Sequence, residues 1–139
     1  MKALKKILGL TLLSTLVCTF FIGSATLAAP LGIMPRVTAQ EDGSYSHLEA
    51  TCTSQIVAIK YTNQANRQCF AEAVGYIYDR NGTEFNESLF CSGNIVSNAS
   101  ISDSLQKGDV YQLKVYANLY NGPSAGYQRI DHVEIKLER

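Results

Sequence analysis

The 139-residue chain contains no tryptophan, three prolines and two histidines, and each shortage removes a class of function. Without tryptophan, a sugar-stacking platform lacks its largest aromatic. No Cys-x-x-Cys or His-x-x-x-His spacing is present, so a zinc site has no local ligand set, and acidic pairs such as Glu41-Asp42 read as ordinary surface. Beyond the first six residues the lysines and arginines form no cluster, which leaves no electrostatic footprint for nucleic acid or an anionic membrane. After residue 29 no apolar stretch is long enough to span a bilayer, and no window repeats apolar residues at helical spacing over three turns. The expectation is a β protein with no cofactor, no metal, no nucleic-acid partner and no stable membrane insertion of the mature chain.

What is present begins with a leader. Lys2, Lys5 and Lys6 open it, an apolar run follows over residues 7–22, and small residues close it over 23–29. This three-part pattern reads as a signal peptide over residues 1–28. The other reading, a membrane anchor, has an apolar run of 16 residues against the roughly 20 needed to cross a bilayer. Cleavage fits after Ala28, with Ala39 as a second site. Cys18 follows Leu16-Val17, which lacks the small residue of a lipoprotein signal. The lysine-rich start resembles bacterial export signals, Gram-positive ones in particular, and places the mature chain outside the cell. All twelve acidic residues and nine basic ones lie beyond the leader, so the mature chain carries a net charge of −3. The three Asn-x-Ser/Thr triplets at Asn81, Asn86 and Asn98 carry little weight in a bacterial product.

About 110 residues then remain, enough for one domain and too few for two lobes with a cleft between them. Residues 29–44 hold two prolines, two glycines and no periodicity, and read as a flexible lead-in to a domain over 45–139. Within it seven strands are predicted, at 46–53, 55–62, 68–79, 83–92, 95–105, 109–120 and 127–138, with the first two readable as one bent strand. Val57, Ile59 and Tyr61 share one face, as do Val133, Ile135 and Leu137. Asn81-Gly82 marks a tight hairpin turn. Seven short strands in so short a chain predict a two-sheet sandwich.

One segment, Leu105-Gln-Lys-Gly108-Asp-Val-Tyr111-Gln-Leu113-Lys-Val115-Tyr-Ala117, resembles the tyrosine-corner segment of fibronectin type III and related immunoglobulin-like domains. The resemblance covers 13 residues. It departs at Lys107, where proline is usual, and at Asp109, where threonine is usual, and the tryptophan of an early core strand is missing. It implies an all-β immunoglobulin-like sandwich of about seven antiparallel strands. It also implies that Tyr111 is a structural anchor whose hydroxyl bonds the backbone just upstream. A different Greek-key sandwich or an open barrel is the alternative.

Cys52, Cys69 and Cys91 survive removal of the leader, an odd number for an oxidising compartment. One internal disulfide is the most they can form. Cys69 and Cys91 sit on the two arms of the Asn81-Gly82 hairpin, but strict two-residue-turn pairing puts Cys69 opposite Asn94, so a bridge between them needs a bulge or a longer turn. That bridge would close about 23 residues and contribute roughly 3 kcal/mol. A bridge from Cys52 to either partner and three free thiols are the other outcomes, and an unpaired cysteine admits either a monomer or a dimer. A cysteine–histidine nucleophile with His47 or His132 has no local motif to support it. Glu84, Glu87 and Asp79 could form a glycosidase carboxylate pair only in a cleft, and they lie at a hairpin tip.

All eight tyrosines follow the leader. Tyr116 and Tyr120 lie on the opposite face of their strand from Leu113, Val115 and Ala117, and Tyr76 and Tyr78 share a face on the hairpin arm. An immunoglobulin-like topology makes these strands neighbours, so Tyr76, Tyr78, Tyr116 and Tyr120 are the candidate binding surface; the competing reading fills the core with half of them. Tyrosine suits recognition because it gives large contact area at low rotamer entropy. The function this implies is non-catalytic binding of a protein or cell-surface partner, through that face or the loops at 63–67, 79–82 and 121–126. A secreted bacteriocin-like toxin or enzyme inhibitor is the alternative, and a small cysteine–histidine hydrolase stands behind both.

Overall fold

The computed structural model describes residues 37–139; the expected signal peptide, its expected cleavage after Ala28 and residues 29–36 lie outside them. The described residues form eight strands, β1 (Val37–Asp42), β2 (Ser46–Cys52), β3 (Ile56–Asn63), β4 (Cys69–Tyr78), β5 (Glu84–Ile95), β6 (Ser100–Gln106), β7 (Gln112–Tyr120) and β8 (Arg129–Glu138). Two four-stranded antiparallel sheets result, ordered β1-β2-β3-β6 and β5-β4-β7-β8. The predicted sandwich is thus observed with one strand more than expected. That strand is β1, in the stretch read as flexible lead-in: Val37, Thr38 and Ala39 pair with Cys52, Thr51 and Ala50, and Val37 and Ala39 pack on the core.

The period-2 pattern of the strands explains the two layers. Leu48, Ala50 and Cys52 of β2 and Val57, Ile59 and Tyr61 of β3 point inward from one sheet. Leu113, Val115, Ala117 and Leu119 of β7 and Val133, Ile135 and Leu137 of β8 meet them from the other. β4 contributes small side chains, Cys69, Ala71 and Ala73, before Ile77.

An aspartate fastens each open side of the sandwich. On one side Asp131 of β8 accepts the Tyr45 N–H at 2.7 Å and the Ser46 hydroxyl at 2.8 Å. Ser46 in turn accepts the hydroxyl of the fully buried Tyr61 at 2.8 Å. Gly43 leaves room for this carboxylate: a Cβ at that position would overlap it and force Asp131 to shift from these bonds. On the other side Asp103 of β6 accepts the Phe90 N–H of β5 at 2.8 Å. These bonds pair donors that two facing sheets would otherwise leave open.

Three expectations are corrected. The hairpin turn is longer than two residues: Asp79 N–H donates to Thr83 O and Gly82 N–H to Asp79 O, and only Gly82, at φ 80°, takes the left-handed region. This is a three-residue loop ending in a glycine bulge. A second register shift between Tyr76 and Tyr78 moves Cys69 opposite Ile95 and Cys91 opposite Ala73, so the bulge separates the two sulfurs instead of aligning them. Cys52, Cys69 and Cys91 are all free. Finally, Tyr111 lies just ahead of β7, where the alternation slips by one: Val110 is buried and Tyr111 is half-buried. Its ring faces the Arg80 guanidinium at 5.7 Å, and its hydroxyl has no hydrogen bond among the described residues. The deeply buried tyrosine with a satisfied hydroxyl is Tyr61.

Candidate functional site

The even-numbered residues of β4, from Phe70 to Tyr78, and those of β7, from Gln112 to Tyr120, point away from the core. β4 and β7 are hydrogen-bonded neighbours, with Phe70 opposite Tyr120, Val74 opposite Tyr116 and Tyr78 opposite Gln112. Tyr76, Tyr78, Tyr116 and Tyr120 therefore share the outer face of the second sheet, and none of them fills the core. Tyr76 and Tyr116 meet edge to face with ring centroids 6.1 Å apart. Phe70 packs at a tilt on Tyr120 at 6.2 Å, and Lys114 Nζ stands 4.6 Å over the Tyr78 ring. Such contacts restrict the rings' rotation on the sheet surface.

β5 extends the face. Phe90 lies opposite Val74 and is 58% exposed, an unusual state for a phenylalanine on a strand whose neighbours are aromatic. The centre of the face carries one carboxylate, Glu72, which accepts the Tyr120 hydroxyl at 2.6 Å and the Asn118 side-chain N–H at 3.3 Å. That hydrogen bond, followed by burial, raises the Tyr120 phenol above its ordinary range. Asn118 Oδ1 meets Arg129 Nη1 at 3.3 Å and His132 Nδ1 at 2.7 Å, and His132 Nε2 meets Glu134 at 2.7 Å. At the other end of β8 the Lys136 ammonium bonds Glu138 and holds its carboxyl below the usual range. A band of paired polar groups thus borders the aromatic centre.

The outer face of the first sheet differs in kind. Its depression is lined by Glu49, Thr51, Ala58, Lys60, Ser102 and Ser104 among others, with no aromatic ring. The candidate loops do not form one surface either. Loops 63–67 and 121–126 lie at one end of the sandwich and loop 79–82 at the other, as the strand order requires. Loop 63–67 is built inward: Asn63 is fully buried, donates to Arg67 O and Ile95 O, and accepts the Ala65 N–H.

The residues considered for chemistry are dispersed. Cys52 and Cys69 are buried in the core and Cys91 is half-buried at the β5–β6 side. His47 pairs with Asp42 and Glu49 on the first sheet and His132 with Asn118 and Glu134 on the second, so neither has a cysteine as a partner. Glu87 pairs with Lys107, and Asp79 caps its own turn through the Asn81 and Thr83 N–H groups. Among the described residues no group of three His, Cys, Asp or Glu converges as metal ligands.

Glu72, Phe70, Val74, Phe90 and Asn118 were not singled out by the sequence reading. Phe70 and Glu72 could have been, because they share the parity of Tyr76. Phe90 depends on the β4–β5 register, which the bulge between Tyr76 and Tyr78 sets.

No protein-family model matches this chain, and no curated protein does either. Among solved structures it is similar to a β-glucuronidase of Bacteroides uniformis, at 13% identity and a TM-score of 0.39, over 74% of this chain and 13% of that one. A second β-glucuronidase from that organism matches at 13% identity and a TM-score of 0.38, over 77% and 13% of the two chains. A Northeast Structural Genomics Consortium target matches at 13% identity and a TM-score of 0.36, over 76% of this chain and 84% of its own. The chain spans about an eighth of the glucuronidases' length, and similarity at this level says nothing of what it binds or does.

Proposed function

We propose that the chain is an exported, non-catalytic binding domain that engages a protein or cell-surface ligand through the outer face of the β5-β4-β7-β8 sheet. The observation that carries this reading is the aromatic face itself: Phe70, Tyr76, Tyr78, Phe90, Tyr116 and Tyr120 stand on one sheet surface, with Phe90 more than half exposed. Exposed aromatic groups clustered on a rigid sheet cost solubility and yield contact area only when covered. The immunoglobulin-like assignment draws support from strand order. Lettering β2 to β8 as A, B, C, C′, E, F and G gives sheets A-B-E and C′-C-F-G, the neighbour relations of immunoglobulin-like sandwiches.

The test is sedimentation of the purified protein with whole Gram-positive cells. Wild type should co-sediment, the triple variant Tyr76→Ala/Phe90→Ala/Tyr116→Ala should stay in solution, and Ile56→Ser on the opposite sheet should behave as wild type. Equal binding by the triple variant would refute the assignment of this face.

A further inference from the structure

At the centre of the aromatic face lies a depression of about 330 Å³, near the lower end of the range for small-molecule sites. Val74 forms its floor. Phe90 and Tyr116 flank Val74 in the same register row, one on each neighbouring strand. Tyr76 stands on one side along β4 and Glu72 with Asn118 on the other. Two features of this lining decide what it can take.

The first is charge. Glu72 is the one carboxylate in the lining, which holds no lysine, arginine or histidine. Lys114 is engaged away from the depression, over Tyr78; Arg129 Nη1 donates to Asn118 Oδ1 at its rim, and no ammonium or guanidinium bonds Glu72 itself among the described residues. The two hydrogen bonds that Glu72 accepts both fall on Oε1, and Oε2 accepts none among the described residues. The second is the wall. Tyr76, Phe90 and Tyr116 line the depression, and aromatic rings attract a cation, best when the cation is poorly hydrated. Aromatic walls with a carboxylate at one side complement a positive group that also has apolar surface.

We propose that this depression binds an alkylammonium group, with Glu72 as counter-charge and Tyr76, Phe90 and Tyr116 as the aromatic walls, an assignment that rests on reading this face as the binding face. The occupant this lining favours is a quaternary ammonium headgroup at a cell surface, because it is poorly hydrated, whereas a lysine ammonium is compact and strongly hydrated.

The experiment is an NMR titration of the purified protein with three probes: choline, Nα-acetyl-lysine amide, and 3,3-dimethylbutan-1-ol, which has the shape of choline without its charge. Choline should shift the backbone amides of Glu72, Val74, Tyr76, Phe90 and Tyr116 with an affinity on the order of millimolar, and more tightly than the lysine amide. Tighter binding of the lysine amide than of choline overturns the quaternary assignment. Glu72→Gln and Tyr116→Ala should each weaken binding by about fivefold, and Tyr127→Ala, on the β7–β8 loop, should leave it unchanged. Glu72→Gln keeps an acceptor for the Tyr120 hydroxyl, so its effect reports charge. Equal binding of the neutral alcohol, or no shift with either ammonium, overturns the proposal. If the triple alanine variant still loses cell binding when neither ammonium shifts these amides, the ammonium assignment fails while the face assignment stands; if cell binding is also unaffected, both fail.

Discussion

Ser46 at the head of β2 and Asp131 on β8 belong to opposite sheets, and a 2.8 Å hydrogen bond from the serine hydroxyl to the carboxylate joins them. Ser46 is also the acceptor for Tyr61, so its hydroxyl serves a chain that runs from the core to the open side of the sandwich. Asp131→Ala removes the acceptor of both Ser46 and the Tyr45 N–H. It should cost about 1–3 kcal/mol, because the hydroxyl left behind is buried. Urea denaturation measures this, and a double-mutant cycle with Ser46→Ala should show coupling of at least about 0.5 kcal/mol. On the other side Asp103→Ala should speed hydrogen exchange at the Phe90 amide, with little effect on amides of β7.

The two tyrosines with structural claims are separated by a single-atom change. Tyr61→Phe deletes a hydroxyl that is fully buried and bonded to Ser46, and should cost about 1 kcal/mol or more. Tyr111→Phe deletes a hydroxyl with no hydrogen bond among the described residues and should fall within about 0.5 kcal/mol of wild type. Equal losses would return Tyr111 to the anchoring role that its resemblance to the tyrosine corner implies.

Three free thiols give a measurable pattern. Burial, followed by the nearby Asp103 carboxylate, pushes the Cys91 thiol up to about 11, and burial raises Cys52 as well. A raised pKa means less thiolate at neutral pH, so alkylation of Cys91 should be slow at pH 7 and climb about tenfold per pH unit, with no plateau below about pH 10. Cys52 and Cys69, in the core, should react only after unfolding. Mass spectrometry of the denatured, unreduced protein should count three reactive thiols; a count of one would reveal a disulfide.

The position of β1 bears on processing. Cleavage after Ala39 would remove Val37, Thr38 and Ala39, which pair with Cys52, Thr51 and Ala50, and would strip core contacts made by Val37 and Ala39. If the chain is exported as proposed, cleavage after Ala28 is therefore expected, and intact-mass measurement of the product should give a chain beginning at Ala29.

Much of this molecule is legible in residue alternation. Val133, Ile135 and Leu137 point inward because alternate strand residues must, and the same rule puts Tyr76, Tyr78, Tyr116 and Tyr120 outside. What escapes is whatever depends on register or on distant partners. β1 escapes because Val37–Asp42 is polar after its first residues and gains its place by pairing with β2. Asp131 reads as a surface carboxylate until the fold brings Ser46, 85 positions earlier, against it. Tyr111 fails because the alternation slips by one at Val110, a backbone detail that no side-chain pattern encodes. The bulge between Tyr76 and Tyr78 sets Phe90 opposite Val74 and widens by two residues a Cys69–Cys91 offset that the turn already imposes.

The assignment of the aromatic face is tested most directly by hydroxyl-radical footprinting of the protein in solution and on whole Gram-positive cells. Protection on cells should concentrate at Tyr76, Phe90, Tyr116 and Tyr120, while Tyr45 and Tyr127, which are exposed at the loops, react as they do in solution. Protection at Tyr45 and Tyr127 with the sheet aromatics unchanged, or no protection anywhere, would contradict the account.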